Sequence, residues 1–141
     1  MHIAAMKTPA RARDRFPHRK LEIYTLASNY FVMCWEFAER VQFRDYFMRS
    51  QFLRAALSIK LNIAEGASEW RRLEKARFYR IARRSAGEHA AILDDLPRTL
   101  NIPEQELEPL YNELIKISNT LRQLVLSMER KARAPRRKRA R

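Results

Sequence analysis

The chain has 141 residues, one cysteine, two glycines and a net charge of +13. A single cysteine excludes a disulfide scaffold, and the three scattered histidines form no metal-binding cluster. No apolar run is long enough to cross a bilayer, and the N-terminal residues contain no apolar signal core, so we expect a soluble, cytoplasmic protein. Helix-forming residues dominate and β-branched runs are almost absent, which predicts a single all-α domain.

Most of the positive charge lies at the two ends of the chain. Residues 17–129 hold 17 basic and 15 acidic side chains, whereas residues 130–141 hold eight basic and no acidic ones. We therefore expect a four-helix bundle over 17–130, with basic disordered tails at 1–16 and 131–141. The C-terminal tail supplies four candidate phosphate contacts, Arg136, Arg137, Lys138 and Arg139.

The first two predicted helices are apolar on more than one side. The first runs from about His18 to Val41 and is rich in aromatic residues. The second runs from about Asp45 to Glu65, with Gly66 as its C-terminal stop. One face of the second helix carries Phe52, Ala55, Ala56, Ile59 and Ile63, and another carries Leu53, Leu57 and Leu61. A helix with two apolar faces must be buried on both, so we expect the second face to contact another subunit.

The remaining strip of the second helix is polar and consists of Arg54, Ser58, Asn62 and Glu65. We interpret this strip as a buried polar network that fixes the register between subunits. The alternative is a direct contact with nucleic acid or a partner protein. Arg54 and Glu65 lie about three helical turns apart, so any pairing of these two charges must involve another helix or subunit.

The third predicted helix, capped by Ser68, runs to about Leu100 and carries the strongest local charge. Residues 71–84 contain seven basic side chains and one acidic one. We predict phosphate contacts from the basic side chains, with Tyr79 stacking on a base; the alternative is a solvated helix face. The candidate residues are Arg71, Arg72, Lys75, Arg77, Arg80, Arg83 and Arg84. The expected inner ridge is Phe78, Ile81, Ala82, Ser85, His89, Ile92, Leu93 and Leu96.

The fourth predicted helix runs from about Pro103 to Arg130 and carries an apolar seam typical of a coiled coil. The seam residues are Leu107, Leu110, Leu114, Ile117, Leu121, Leu124 and Met128. Four helices with short connections predict an antiparallel up-down-up-down four-helix bundle.

Two blocks of this sequence resemble a known bacterial family. The first is Gln51, Arg54-Ala55-Ala56, Ser58-Ile59 and Asn62-Ile63-Ala64-Glu65-Gly66; the second is Phe78, Ile81-Ala82, Ser85 and Glu88. Over about residues 18–128 the chain is similar to the four helix bundle proteins encoded in intervening sequences of 23S rRNA genes. A related branch comprises the accessory variability proteins of diversity-generating retroelements.

This resemblance implies a ring-like homo-oligomer, specifically a pentamer, that works with nucleic acid. The leading hypothesis is a non-catalytic protein that binds RNA or DNA through its basic surface and tails. The alternative is an accessory scaffold that binds a reverse transcriptase and its nucleic acid. A gene position within an rRNA operon favours the first hypothesis, and a neighbouring reverse transcriptase gene favours the second.

The sequence offers little for catalysis, a metal or a cofactor. Di-iron bundles need Glu-x-x-His pairs, but Glu88 and His89 are adjacent, and we expect His89 at the edge of the core. Cys34 has no identifiable base partner in the sequence. Neither a phosphate-binding glycine loop nor a nucleophile elbow is present. We therefore expect no enzymatic activity, no metal and no cofactor.

Overall fold

The computed structural model describes residues 11–135, and this part of the chain is all-α with four helices and no strands. The helices are α1 (Glu22–Val41), α2 (Tyr46–Ser68), α3 (Arg72–Thr99) and α4 (Glu108–Arg133). Three short 3-10 helices cover Ala12–Arg15, Pro17–Lys20 and Glu104–Glu106. The predicted fold class is confirmed at this level, as an all-α protein consistent with a four-helix bundle.

The helices lie around one hydrophobic core. Each helix packs on the next one in the chain, and α4 also packs on α1. The predicted core face of α2 is confirmed, because Phe52, Ile59 and Ile63 are fully buried. All the predicted seam residues of α4 are buried or packed against the core, and Val125 joins them.

The core-facing ridge of α3 is rotated from the predicted one. Ala76, Tyr79 and Ala86 belong to the buried core, whereas Phe78 and Ile92 are only partly buried. The physical reason lies on α2, where the missing side chain of Gly66 leaves room for the Tyr79 ring.

At the start of α2, Asp45 caps the helix, and its carboxylate accepts a hydrogen bond from Met48 N at 3.0 Å. At the other end of α2, the boundary with α3 differs from the prediction. Gly66 is not the stop, and Ser68 does not cap α3, because α2 continues to Ser68. The Ser68 hydroxyl instead donates to the Ala64 carbonyl of its own helix at 3.2 Å.

The other helix ends differ by a few residues. α1 begins at Glu22 because Pro17–Lys20 forms a separate 3-10 turn. Pro97 lies in the last turn of α3, where it removes one i→i−4 hydrogen bond shortly before the helix ends at Thr99. α4 begins at Glu108, after a 3-10 turn that occupies the predicted first helical turn.

Gly66 is required by close packing rather than by helix termination. A Cβ atom placed on Gly66 lies 2.6 Å from Tyr79 Cε1 and 2.9 Å from Tyr79 Cδ1. The Tyr79 ring is buried, so it has no free space to move into.

Gly66→Ala is therefore expected to lower the free energy of unfolding by about 1–3 kcal/mol, the usual cost of overpacking a core. Gly87→Ala is the matched control, since a Cβ there meets nothing within 4 Å. That control should stabilise the protein by about 0.5–1 kcal/mol through helix propensity. Urea unfolding of both variants measures the contrast, and an equal gain in both would show that Gly66 is not packing-limited.

Candidate nucleic-acid interface

The basic face of α3 consists of Arg77, Arg80, Arg83 and Arg84, which are all exposed. These side chains point outwards because the apolar residues of α3 occupy the opposite side of the helix. Arg80 Nη2 pairs with Glu129 Oε1 of α4 at 3.1 Å, and Arg77 Nε pairs with Glu74 Oε2 at 3.1 Å. Within residues 11–135, Arg83 and Arg84 take part in no ion pair, so their charges are free for another partner.

The start of α3 lies against the end of α4. Arg72 Nη1 donates to the Lys131 carbonyl at 3.0 Å, which places two positively charged residues side by side. A surface groove at this junction has a volume of about 460 Å³. It is lined by Arg71, Arg72, Leu73, Glu74, Lys131, Ala132 and Ala134. We call this region the basic end.

Lys75 has a different environment from the other candidates. Its ammonium group donates to the carbonyls of Gly66 at 3.2 Å and Ala67 at 3.1 Å. These carbonyls lie in the last turn of α2, where helical backbone donors run out, so Lys75 caps that helix from the neighbouring one. Because two of its three N–H donors are already used, we leave Lys75 out of the proposed phosphate-binding surface.

The aromatic residue available for stacking is Trp70, not Tyr79. The predicted role of Tyr79 is wrong, because its ring is only 3% exposed and packs beside Gly66. Trp70 is 82% exposed in the connection between α2 and α3. The sequence analysis did not identify Trp70, because this residue lies between α2 and α3 and belongs to the repeating pattern of neither helix. Its position before Arg71 and Arg72 is the signal that could have found it.

The predicted polar strip of α2 divides into an inner and an outer part. The Ser58 and Ser85 hydroxyls lie 2.8 Å apart, and Asn62 Nδ2 donates to Ser58 O at 2.9 Å. This inner part links α2 to α3 within one chain. Arg54 and Glu65 are exposed, so burial of either charge requires a second molecule.

Arg54 opens onto a groove between α2 and α3. The groove has a volume of about 410 Å³ and also contains Gln51, Ser58 and Glu88 among its lining residues. Its lining combines one arginine and one glutamate with small side chains. The predicted interface role of the polar strip stays a prediction.

The second apolar face of α2 is left uncovered in the single chain. Leu61 is 52% exposed, and Leu53 and Leu57 are half-buried. On the neighbouring helix α1, Val32 and Trp35 are also about half exposed, at 52% and 48%. We call these five residues the α1–α2 apolar face.

The core holds a cysteine and a histidine in contact, which the sequence did not reveal. Cys34 Sγ lies 3.6 Å from His89 Nε2, and both residues are fully buried. The expectation of His89 at the core edge is therefore wrong, and Cys34 does have an imidazole neighbour. Burial raises the pKa of the Cys34 thiol to about 12 and lowers the pKa of His89 to about 4. Both groups are therefore neutral near pH 7, which leaves no thiolate for nucleophilic chemistry.

The remaining candidates in the C-terminal tail, Arg136, Arg137, Lys138 and Arg139, lie outside the described residues. Within residues 11–135, none of the helices is both long and apolar enough to span a membrane. Across the same part of the chain, no group of three or more His, Cys, Asp and Glu side chains is placed to hold a metal ion.

Comparison with protein families identifies the chain. The family described as 23S rRNA-intervening sequence protein matches residues 19–123, which is more than half of the sequence. The chain belongs to the 23S rRNA-intervening sequence protein family. The resemblance drawn from the two sequence blocks is thereby confirmed. The relation to the retroelement accessory proteins stays a prediction.

The family match of this 23S rRNA-intervening sequence protein covers α1 to α3 and most of α4. The basic face of α3 lies inside the matched region, whereas Lys131 and the C-terminal tail lie beyond it. A comparison with curated proteins finds no significant match. A comparison with solved structures finds none either.

Proposed function

We propose that the protein is a non-catalytic, oligomeric RNA-binding four-helix bundle. The observation that carries this proposal is that only some of the exposed arginines of α3 pair with acidic residues. Its outward side presents four exposed arginines, and two of them have no acidic partner in residues 11–135. Unpaired surface arginines in such a cluster are suited to phosphate groups, which they contact without reading base sequence.

The choice of RNA rests on the family and not on the geometry. Phosphates of RNA and DNA present the same charge to an arginine, so the basic face alone does not distinguish them. The family description connects its members with a 23S rRNA intervening sequence. We therefore expect RNA to be the natural ligand.

The oligomer in this proposal forms through the α1–α2 apolar face. Cation–π contacts place Arg49 over Trp35 at 5.6 Å and Lys60 over Tyr24 at 5.4 Å. These pairings support an antiparallel arrangement of α1 and α2. Along α2 the apolar face extends from Leu53 to Leu61, a distance of about 12 Å. A monomer gains nothing from leaving such a face in water, whereas a second subunit would bury it.

A ring-like homopentamer would multiply weak phosphate contacts. Each subunit would contribute one basic face, so one RNA could contact several subunits at once. Binding at the first subunit raises the effective concentration of RNA at the next one. This arrangement accounts for a protein whose individual contacts are few and lack base specificity.

Substitution of the two unpaired arginines tests the RNA-binding proposal. Arg83→Ala with Arg84→Ala is expected to weaken binding of a fluorescein-labelled RNA and to reduce the slope of log Kd against log salt by about 1–2. Fluorescence anisotropy at several salt concentrations measures both quantities.

The matched control removes two positive charges at other positions of the chain. Arg44 and Arg98 are exposed and lie outside the basic face and the basic end. Arg44→Ala with Arg98→Ala should leave the affinity and the salt slope close to wild type. Equal losses in both double variants would mean that only the net charge matters, which would contradict a localised interface.

A further inference from the structure

The connection between α2 and α3 presents Trp70 in a fixed position. The Glu69 amide donates to the Gly66 carbonyl at 3.2 Å, and the Lys75 amide donates to the Arg71 carbonyl at 3.0 Å. The Lys75 ammonium group further ties α3 to the last carbonyls of α2. The backbone on both sides of Trp70 is therefore held by hydrogen bonds, while its indole ring is 82% exposed.

Positive charge lies beside the exposed indole ring. The Arg71 guanidinium lies 5.7 Å from the centre of the Trp70 ring. Arg72 reaches the end of α4 at Lys131, and Arg130 and Arg133 are exposed on the same terminal turns. Trp70 thus offers a flat apolar surface beside one phosphate-binding guanidinium, that of Arg71.

We propose that Trp70 stacks on an unpaired base of RNA while the basic end contacts the adjacent phosphates. This inference rests on the proposed RNA-binding function and specifies the kind of RNA. In a duplex both faces of a base are covered by its neighbours, so an indole ring has no free face to stack on. Single-stranded nucleotides expose that face, and stacking on an aromatic side chain tolerates any base.

The basic end fits RNA better than an apolar protein partner. Trp70 and Leu73 are the only large exposed apolar side chains of residues 69–99, and charged side chains flank both. A protein interface normally has an apolar centre depleted of charge, which this arrangement lacks. Glu74 is the one acidic residue lining the groove, and it is already paired with Arg77.

Two Trp70 variants test the inference with a single-stranded RNA and a blunt RNA duplex of equal length. Trp70→Ala is expected to weaken single-strand binding by about 5- to 100-fold, the range for loss of one stacked base. Trp70→Phe should retain most of the affinity, because a phenyl ring still stacks. Duplex affinity should be the same in wild type and both variants.

Tyr46→Ala is the matched control. Tyr46 is also 82% exposed, but it lies at the opposite end of α2, about 35 Å away. Its replacement should leave single-strand affinity unchanged. In a Trp35→Phe background, Trp70 is the only indole, so single-stranded RNA should quench its fluorescence and the duplex should not.

The possible outcomes separate this inference from the broader proposal. If the wild type binds single-stranded RNA and Trp70→Ala binds it equally well, the stacking role is overturned while RNA binding stands. Equal weakening of single strand and duplex would also overturn it, because a base-stacking residue must distinguish them. A wild type that binds neither RNA would overturn the proposed function and this inference together.

Discussion

Lowering the pH from 6.5 to 4 is expected to reduce the free energy of unfolding by about 3 kcal/mol, because burial lowers the pKa of His89 to about 4 in the folded protein. In the unfolded chain this imidazole takes up a proton near its usual pKa of 6.5. Between these two values the unfolded state binds one proton more than the folded state. The His89 contribution to stability is thus complete above pH 6.5 and is lost as the pH falls towards 4.

The surroundings of His89 disfavour a positive charge, because burial outweighs the one favourable contact, which is with the Phe52 backbone. Its ring contacts Phe52 at 4.8 Å and Tyr30 at 5.4 Å between ring centres, and its nearest polar neighbour is the Cys34 thiol. Its Nδ1 atom has no hydrogen-bond partner. Protonation in the folded state would therefore place an uncompensated charge in the core.

Urea unfolding at several pH values and constant protein concentration measures this effect. His89→Leu should remove the additional loss of stability between pH 6.5 and 4, which leaves only the contribution of the surface carboxylates. His18→Gln is the control, since His18 lies at the surface outside the core, and it should retain the wild-type pH dependence. If His89→Leu loses stability as steeply as wild type, the buried imidazole is not the cause.

Introducing acidic residues on the α1–α2 apolar face is expected to convert the proposed oligomer into a monomer. Leu57→Asp with Leu61→Asp places two charges where the proposed interface excludes water. An unpaired buried carboxylate costs several kcal/mol, and the proposed ring would repeat that cost at every interface. The monomer should still fold, because Leu57 and Leu61 are not among the residues packed against the core.

Size-exclusion chromatography with light scattering measures the mass of this double variant. Ile115→Asp with Leu126→Asp is the matched control, since these α4 residues are 58% and 41% exposed and add the same charge. The control should keep the wild-type mass. An oligomer that survives in the Leu57/Leu61 variant would contradict assembly through the α1–α2 apolar face.

The sequence alone predicted the four helices and the best-defined faces because their signals are periodic. The core face of α2 and the apolar seam of α4 repeat at helical spacing, so burial follows from the pattern. The sequence did not predict the rotation of α3, because aromatic, aliphatic and small residues occupy several adjacent rows of that helix and do not define one apolar face. The missing side chain of Gly66 leaves the space that the buried Tyr79 ring occupies.

The candidate site was predictable in part. The arginines of α3 are recognisable from composition and spacing, whereas their partners are distant in sequence. Arg80 pairs with Glu129, and Arg72 reaches Lys131, so only the fold shows which charges remain unpaired. Trp70 lies in a connection without periodicity, and the contact between Cys34 and His89 joins residues 55 positions apart.

Native mass spectrometry of the full chain, with and without a single-stranded RNA, tests the central claim most directly. An oligomeric RNA-binding bundle predicts a mass that is a whole multiple of 16.8 kDa, with the pentamer expected, and an added mass of one RNA per oligomer. A 16.8 kDa monomer at micromolar concentration, with a mass unchanged by RNA, would contradict both the assembly and the function proposed for this protein.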